Sequence, residues 1–143
     1  MNENIKAIVK YRIEQAEESL RDAQLLVDSG GSFRSIINRS YYVMFYATLA
    51  LIAAKGTGSS KHSGAISIFD REYVKTNIFP KEMSKVLHKA FNLRQESDYK
   101  EFIIITKEEA EKIKKGAEDF LNKIKSHLKS YSDPPTSVEE DSK

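Results

Sequence analysis

The chain has 143 residues, 40% of them apolar and 31% charged, the mix of one globular domain long enough to build its own core. It contains no cysteine, which excludes disulfides, thiolate catalysis and cysteine-ligated zinc. The net charge of +2 is unevenly placed: from Ser132 onward four acids stand against Lys143, a net of −3, which leaves +5 on the body and keeps nucleic acid open as a partner without requiring it.

Met1 to Lys6 lacks the apolar core of an export signal, so a cytoplasmic protein is expected. From about Glu3 to Asp28, apolar residues from Ile5 through Val9, Ile13, Ala16, Leu20 and Ala23 to Val27 recur mostly at three or four residues, which predicts an amphipathic helix. Ser29-Gly30-Gly31-Ser32 ends it, with glycine suited to the left-handed C-terminal conformation and Ser32 to capping the next helix. So short a break favours an antiparallel neighbour.

The second helix, about Phe33 to Ala54, organises the chain. After Arg39 it carries no charge until Lys55, and a helix that is apolar on every side belongs in the centre of a bundle. Its apolar run is too short for a membrane span and contains tyrosines, so no membrane role is expected. A polar, Gly/Ser-rich loop from Lys55 to His62 follows. A third helix is predicted over about Ser63 to Thr76, and Asn77 to Pro80 interrupts the pattern. Pro80 then suits the start of a fourth helix over about Lys81 to Ser97.

Asp98 to Thr106 includes Phe102-Ile103-Ile104-Ile105, strand-like by propensity but without a convincing second strand, and is read as an extended, buried connector. Thr106-Lys107-Glu108-Glu109 matches a capping box, and Ala110, Ile113, Ala117, Phe120, Leu121, Ile124 and Leu128 give the fifth helix a clean stripe to about Ser130. The expected fold is all-α, an up-down four-helix-type bundle with one additional short helix over residues 1–131. Residues 132–143 are expected to form an acidic, disordered tail.

Arg39 is the chemical question in this sequence. A guanidinium cannot shed its proton, so near the head of a buried helix it needs either a structural carboxylate or an anionic ligand. Arg39, Tyr42 and Tyr46 follow at i, i+3 and i+7 on one face, flanked by Asn38, whereas Tyr41, Phe45, Thr48 and Ile52 read as core on a neighbouring face. As an anion site, Arg39 would hold a phosphate, Asn38 would orient it and a tyrosine would stack on a base or donate a hydrogen bond.

His62, beside Lys61 at the start of a helix, suits proton transfer or phosphate binding, but also reads as a solvated loop residue. His88 and His127 read as surface residues among lysines. Arg94 and Asp98, four apart, read as a simple helical ion pair, with a second polar cluster beside Arg39 as the alternative. The three histidines do not form a metal site by spacing, and neither a metal nor a cofactor is expected.

The run Asn38-Arg39-Ser40-Tyr41-Tyr42-Val43-Met44-Phe45-Tyr46-Ala47 strongly resembles the small, single-domain HEPN proteins of prokaryotes. Lys61-His62-Ser63-Gly64 and Arg94 with Asp98-Tyr99 add two further elements in the order that family shows, and the resemblance covers about Ile8 to Leu128. It implies a helical bundle that forms a homodimer, with a cleft at or near the dimer interface. It also implies kinship with the toxin half of toxin–antitoxin pairs whose partner is a minimal nucleotidyltransferase.

The resemblance further implies that active members are metal-independent ribonucleases built on an arginine and a histidine separated by four to six intervening residues; the ribose 2′-hydroxyl attacks the adjacent phosphate while histidine moves a proton and arginine steadies charge. Here Tyr46 stands where that histidine would sit, and a tyrosine is a poor base at neutral pH. The resemblance therefore implies Arg39, His62 and Tyr46 as catalytic candidates, with Asn38, Arg39, Tyr42, Lys61 and Arg94 contacting RNA or a nucleotide. The alternative is a non-catalytic nucleotide-binding or protein-interaction module.

Overall fold

A computed structural model describes residues 2–56, 61–99 and 104–132. Five helices follow in order: α1 (Glu3–Ser29), α2 (Phe33–Lys55), α3 (His62–Phe69), α4 (Lys81–Tyr99) and α5 (Lys107–Ser132), and a π-helical turn over Asp70–Val74 extends α3. The described residues contain no strand, so the chain is an all-α bundle.

The boundaries follow from local chemistry. Asn2 accepts a bond from the Ile5 amide at 2.8 Å, Ser32 from the Ser35 amide at 3.1 Å, and Thr106 from the Glu109 amide at 3.1 Å, each satisfying a donor that the first helical turn leaves free. Gly30 ends α1 at φ 76°, and the next amide, of Gly31, returns to the Leu26 carbonyl at 2.7 Å.

Helix α2 is the hub. It packs most extensively against α1, then α5, α4 and α3, and buries Ile37, Tyr41, Met44, Ala47, Leu51 and eight further residues of its own length almost completely, together with Ser40. The apolar run was expected to be too short for a membrane span, but the whole helix would suffice by length and composition; 72% of that span is buried inside the bundle, as in the core helix of a soluble protein. Close approach of α1 is made through its small buried residues Ala16, Ser19 and Ala23. The stripe predicted on α5 is buried at every position from Ala110 to Leu128.

Three expectations need correction. Helix α4 continues through Tyr99, two residues into the predicted connector, and Ile104 is 84% exposed because the chain passes over the surface there before Thr106 caps α5. Phe102 and Ile103, like residues 133–143 of the predicted tail, lie outside the described residues. His127 is not a surface residue: it is half-buried, with its ring edge-on to Phe79 at 5.3 Å and Tyr73 at 6.0 Å, one position before the buried Leu128. His88 is exposed and bonds Asp70 at 2.6 Å, while Ser84 donates to the other oxygen of Asp70 at 2.7 Å, fastening α4 to the end of α3.

Candidate functional site

Helix α2 turns its Arg39–Tyr46 segment toward the start of α3 and the far half of α4. Where those three elements meet, aromatic and cationic side chains interlock. His62 is the first residue of α3, held there by the Lys61 carbonyl accepting from the Ala65 amide at 2.9 Å. Its imidazole stacks on Phe45 with ring centres 4.0 Å apart and 9° between planes. It meets Tyr42 edge-on at 5.8 Å, and its Nδ1 lies 2.6 Å from the Tyr41 hydroxyl. Phe91 of α4 also packs against Tyr41, with ring centres 5.8 Å apart.

Two guanidiniums approach the same rings. Arg39 lies 5.1 Å from the centre of the Tyr42 ring, and Arg94 lies 5.4 Å from that ring and 5.3 Å from Tyr41. Aromatic faces attract cations, so a tyrosine pair can hold two positive groups close together, though it cancels neither charge. Arg39 is half-buried and donates through Nε and Nη2 to the Asn38 side-chain oxygen at 3.3 and 3.0 Å. Among the described residues no carboxylate pairs with it. The structural ion pair that the sequence left open for Arg39 is therefore absent from the described residues.

Burial pushes the Tyr41 hydroxyl far above the ordinary tyrosine range, against the opposing pull of Arg94. Burial first, and the charge of Arg94 second, hold the His62 imidazole below the ordinary histidine range, which favours its neutral form near pH 7.

Of the residues singled out from sequence, Arg39, Tyr42, His62 and Arg94 meet in this one cluster. Tyr46 joins its edge, 5.6 Å from Tyr42 and 5.9 Å from Phe45. Asn38 touches Arg39, and Lys61 is exposed next to His62. His62 is half-buried against three rings of α2, not a solvated loop residue. Arg94 sits over two tyrosine rings, and the side chain of its expected ion-pair partner Asp98 lies outside the described residues.

The sequence reading missed Tyr41 and Phe45 as site members by assigning both to the core. They are core, but a buried tyrosine must place its hydroxyl on a polar partner, and that requirement was the available signal. Among the described residues no three His, Asp or Glu side chains converge as a metal site. A groove of about 660 Å³ between α4 and α5, lined by Met83, Val86, Ile113, Gly116 and Phe120, includes none of the cluster residues.

The HEPN domain family matches residues 9–127. A "UPF0332 protein" of Thermotoga maritima is 40% identical over 87% of this chain and 92% of its own length. Two proteins of Methanocaldococcus jannaschii are also similar. "Putative toxin MJ0142" is 40% identical over 81% of this chain and 78% of its own length, and "Putative toxin MJ0605" is 33% identical over 90% and 95%.

Proposed function

The chain belongs to the HEPN domain family, and from that premise we propose that it is a toxin-like protein that binds the phosphates of RNA or a nucleotide at the Arg39–Tyr42–Arg94 cluster and cleaves RNA there. One observation carries the reading: two guanidiniums converge on the ring of Tyr42, and Arg39 has only the neutral Asn38 as hydrogen-bond partner among the described residues. A half-buried cation held in that way is preorganised for an anion, and guanidinium–phosphate contacts are among the stronger charge-assisted bonds. The aromatic rings beside it offer stacking faces to an unpaired base, the usual mode of single-stranded RNA recognition.

In cleavage the ribose 2′-oxygen bonds to phosphorus as the bond to the 5′-oxygen breaks; the 2′-hydroxyl gives its proton to solvent and the departing oxygen takes one from solvent. Arg39 and Arg94 would stabilise the charge that builds on the phosphate oxygens, Asn38 would orient Arg39, and His62 would contact the phosphate through its imidazole. The relatives named as toxins favour a protein partner that restrains the activity, for which a minimal nucleotidyltransferase is the proposed class, and the working form is proposed to be a cytoplasmic homodimer.

The test is RNA cleavage in EDTA by wild type, Arg39→Ala and His62→Ala, assayed side by side. Loss in both variants supports a metal-independent ribonuclease that depends on Arg39 and His62. A wild type that does not cleave, but whose melting temperature rises with added nucleotide, supports the second reading, a non-catalytic binding module. That reading is favoured by Tyr46, whose ring packs against Tyr42 and Phe45 at the position where the family's histidine is expected. Cleavage and nucleotide binding both unchanged in Arg39→Ala would reject the site.

A further inference from the structure

The hydrogen bond between Tyr41 and His62 has a consequence for what the histidine can do. Tyr41 is fully buried, and its hydroxyl has one hydrogen-bond partner among the described residues, Nδ1 of His62 at 2.6 Å. Two arrangements fit that distance. In one, Nδ1 carries the ring proton and donates to the tyrosine oxygen, which leaves the tyrosine O–H without an acceptor in a dry interior. In the other, the O–H donates to a bare Nδ1 and both atoms are satisfied.

Among the described residues no other acceptor bonds that hydroxyl, the Tyr42 oxygen included. Phe45 and Phe91 present rings, Tyr42 meets Tyr41 ring to ring at 5.2 Å, and Arg94 presents only donors. A buried hydroxyl left unbonded costs its full desolvation, so the second arrangement wins.

We propose that Tyr41 is a positioning residue that fixes the neutral tautomer of His62 with its proton on Nε2, making His62 a hydrogen-bond donor to a phosphate oxygen and not the general base. Its role as phosphate donor rests on the binding reading above; the tautomer itself does not. The ring is further immobilised by its stack on Phe45, so Nε2 is the one nitrogen left for a ligand. Protonation would put a second proton on the ring and reverse the Tyr41 bond. Burial and the positive charge of Arg94 oppose that at neutral pH, with Lys61 preceding His62 adding no acidic neighbour. A neutral Nε2–H has no lone pair in the ring plane to accept the proton of a 2′-hydroxyl. It can only donate, as do the two guanidiniums that share the Tyr42 ring with it, which suits the non-bridging oxygens of a phosphate.

The experiment is nitrogen-15 NMR of the full chain with labelled histidine at about pH 7.5, with His62→Gln used to assign the His62 signals. We expect an unprotonated Nδ1 and a protonated Nε2 in wild type, and a shift toward a mixture of both tautomers in Tyr41→Phe, which keeps the ring and removes only the hydroxyl. A protonated Nδ1 in wild type overturns the proposal, and so does a tautomer ratio that Tyr41→Phe leaves unchanged. Should Tyr41→Phe fail to fold, the wild-type spectrum alone still decides between the tautomers. Titration with AMP separates this inference from the binding reading. If AMP moves the Nε2–H signal, the donor role is supported. If the tautomer is as expected but AMP moves neither that signal nor the Tyr42 ring protons, the fixed tautomer is upheld while the phosphate-donor role and the binding reading are both rejected.

Discussion

Arg39→Ala should separate function from stability. A buried ion pair broken on one side costs about 3–5 kcal/mol, because a carboxylate is stranded without its cation. Arg39 strands nothing of that kind among the described residues: it is half-buried, bonds its neighbour Asn38 and lies over the Tyr42 ring at 5.1 Å. Losing the ring contact costs about 0.5–1 kcal/mol at a site still reached by water. The two bonds to Asn38 add little, since that side chain is also partly exposed and can turn to solvent.

The net cost should stay below about 1 kcal/mol, a melting-temperature drop of roughly 3 °C for a domain of this length. The effect on a bound phosphate should be much larger. Removing a charge-assisted bond worth about 1.5–3 kcal/mol weakens affinity roughly 10- to 150-fold. Urea unfolding and calorimetric titration with AMP would read the two quantities on the same sample. A stability loss above about 3 kcal/mol, the range of a broken buried pair, would refute the reasoning by revealing such a partner, and so would unchanged affinity in a stable variant.

Other perturbations probe the scaffold. His62 and His127 are both held below the ordinary histidine range by burial, with Arg94 as a further cause for His62, so the unfolded chain takes up protons first as pH falls. Their contribution to stability should therefore be complete above about pH 6.5 and decline below it; urea midpoints that fall no further in wild type than in a His62→Gln/His127→Gln double variant would contradict this. Phe120→Ala, at a fully buried ring 5.1 Å from Phe69, should cost about 3–5 kcal/mol. By contrast, Glu17→Ala, which removes the partly exposed partner of Lys125 at 2.6 Å, should cost under about 1 kcal/mol in the same denaturation assay. A Cβ on Gly116 would stand 2.7 Å from a methyl of Val86, so Gly116→Ala should destabilise by about 1 kcal/mol, with overpacking exceeding the gain in helix propensity. Adding Val86→Ala should then cost less than the two single changes combined, and strict additivity would exclude the contact as the cause.

What the sequence determined by itself was everything that depends on one helix at a time. Periodicity gave the buried stripe of α5 from Ala110 to Leu128, the lack of charge after Arg39 gave α2 its central place, and Ser32, Thr106 and Gly30 were legible as caps because capping is a contact within four or five residues. The motif residues of α2 were legible for the same reason.

Contacts between elements were not. That His62 stacks on Phe45 and bonds Tyr41 depends on where a loop delivers α3, and that Arg94 covers two tyrosine rings depends on how α4 crosses α2. His127 looked solvated beside lysines, yet its burial is decided by Phe79 from a turn far away in sequence. Helical spacing says which residues share a face, but the partner that face meets is set by the packing of the whole bundle, and only the tertiary structure could turn a row of core aromatics into a site with two cations and one fixed imidazole.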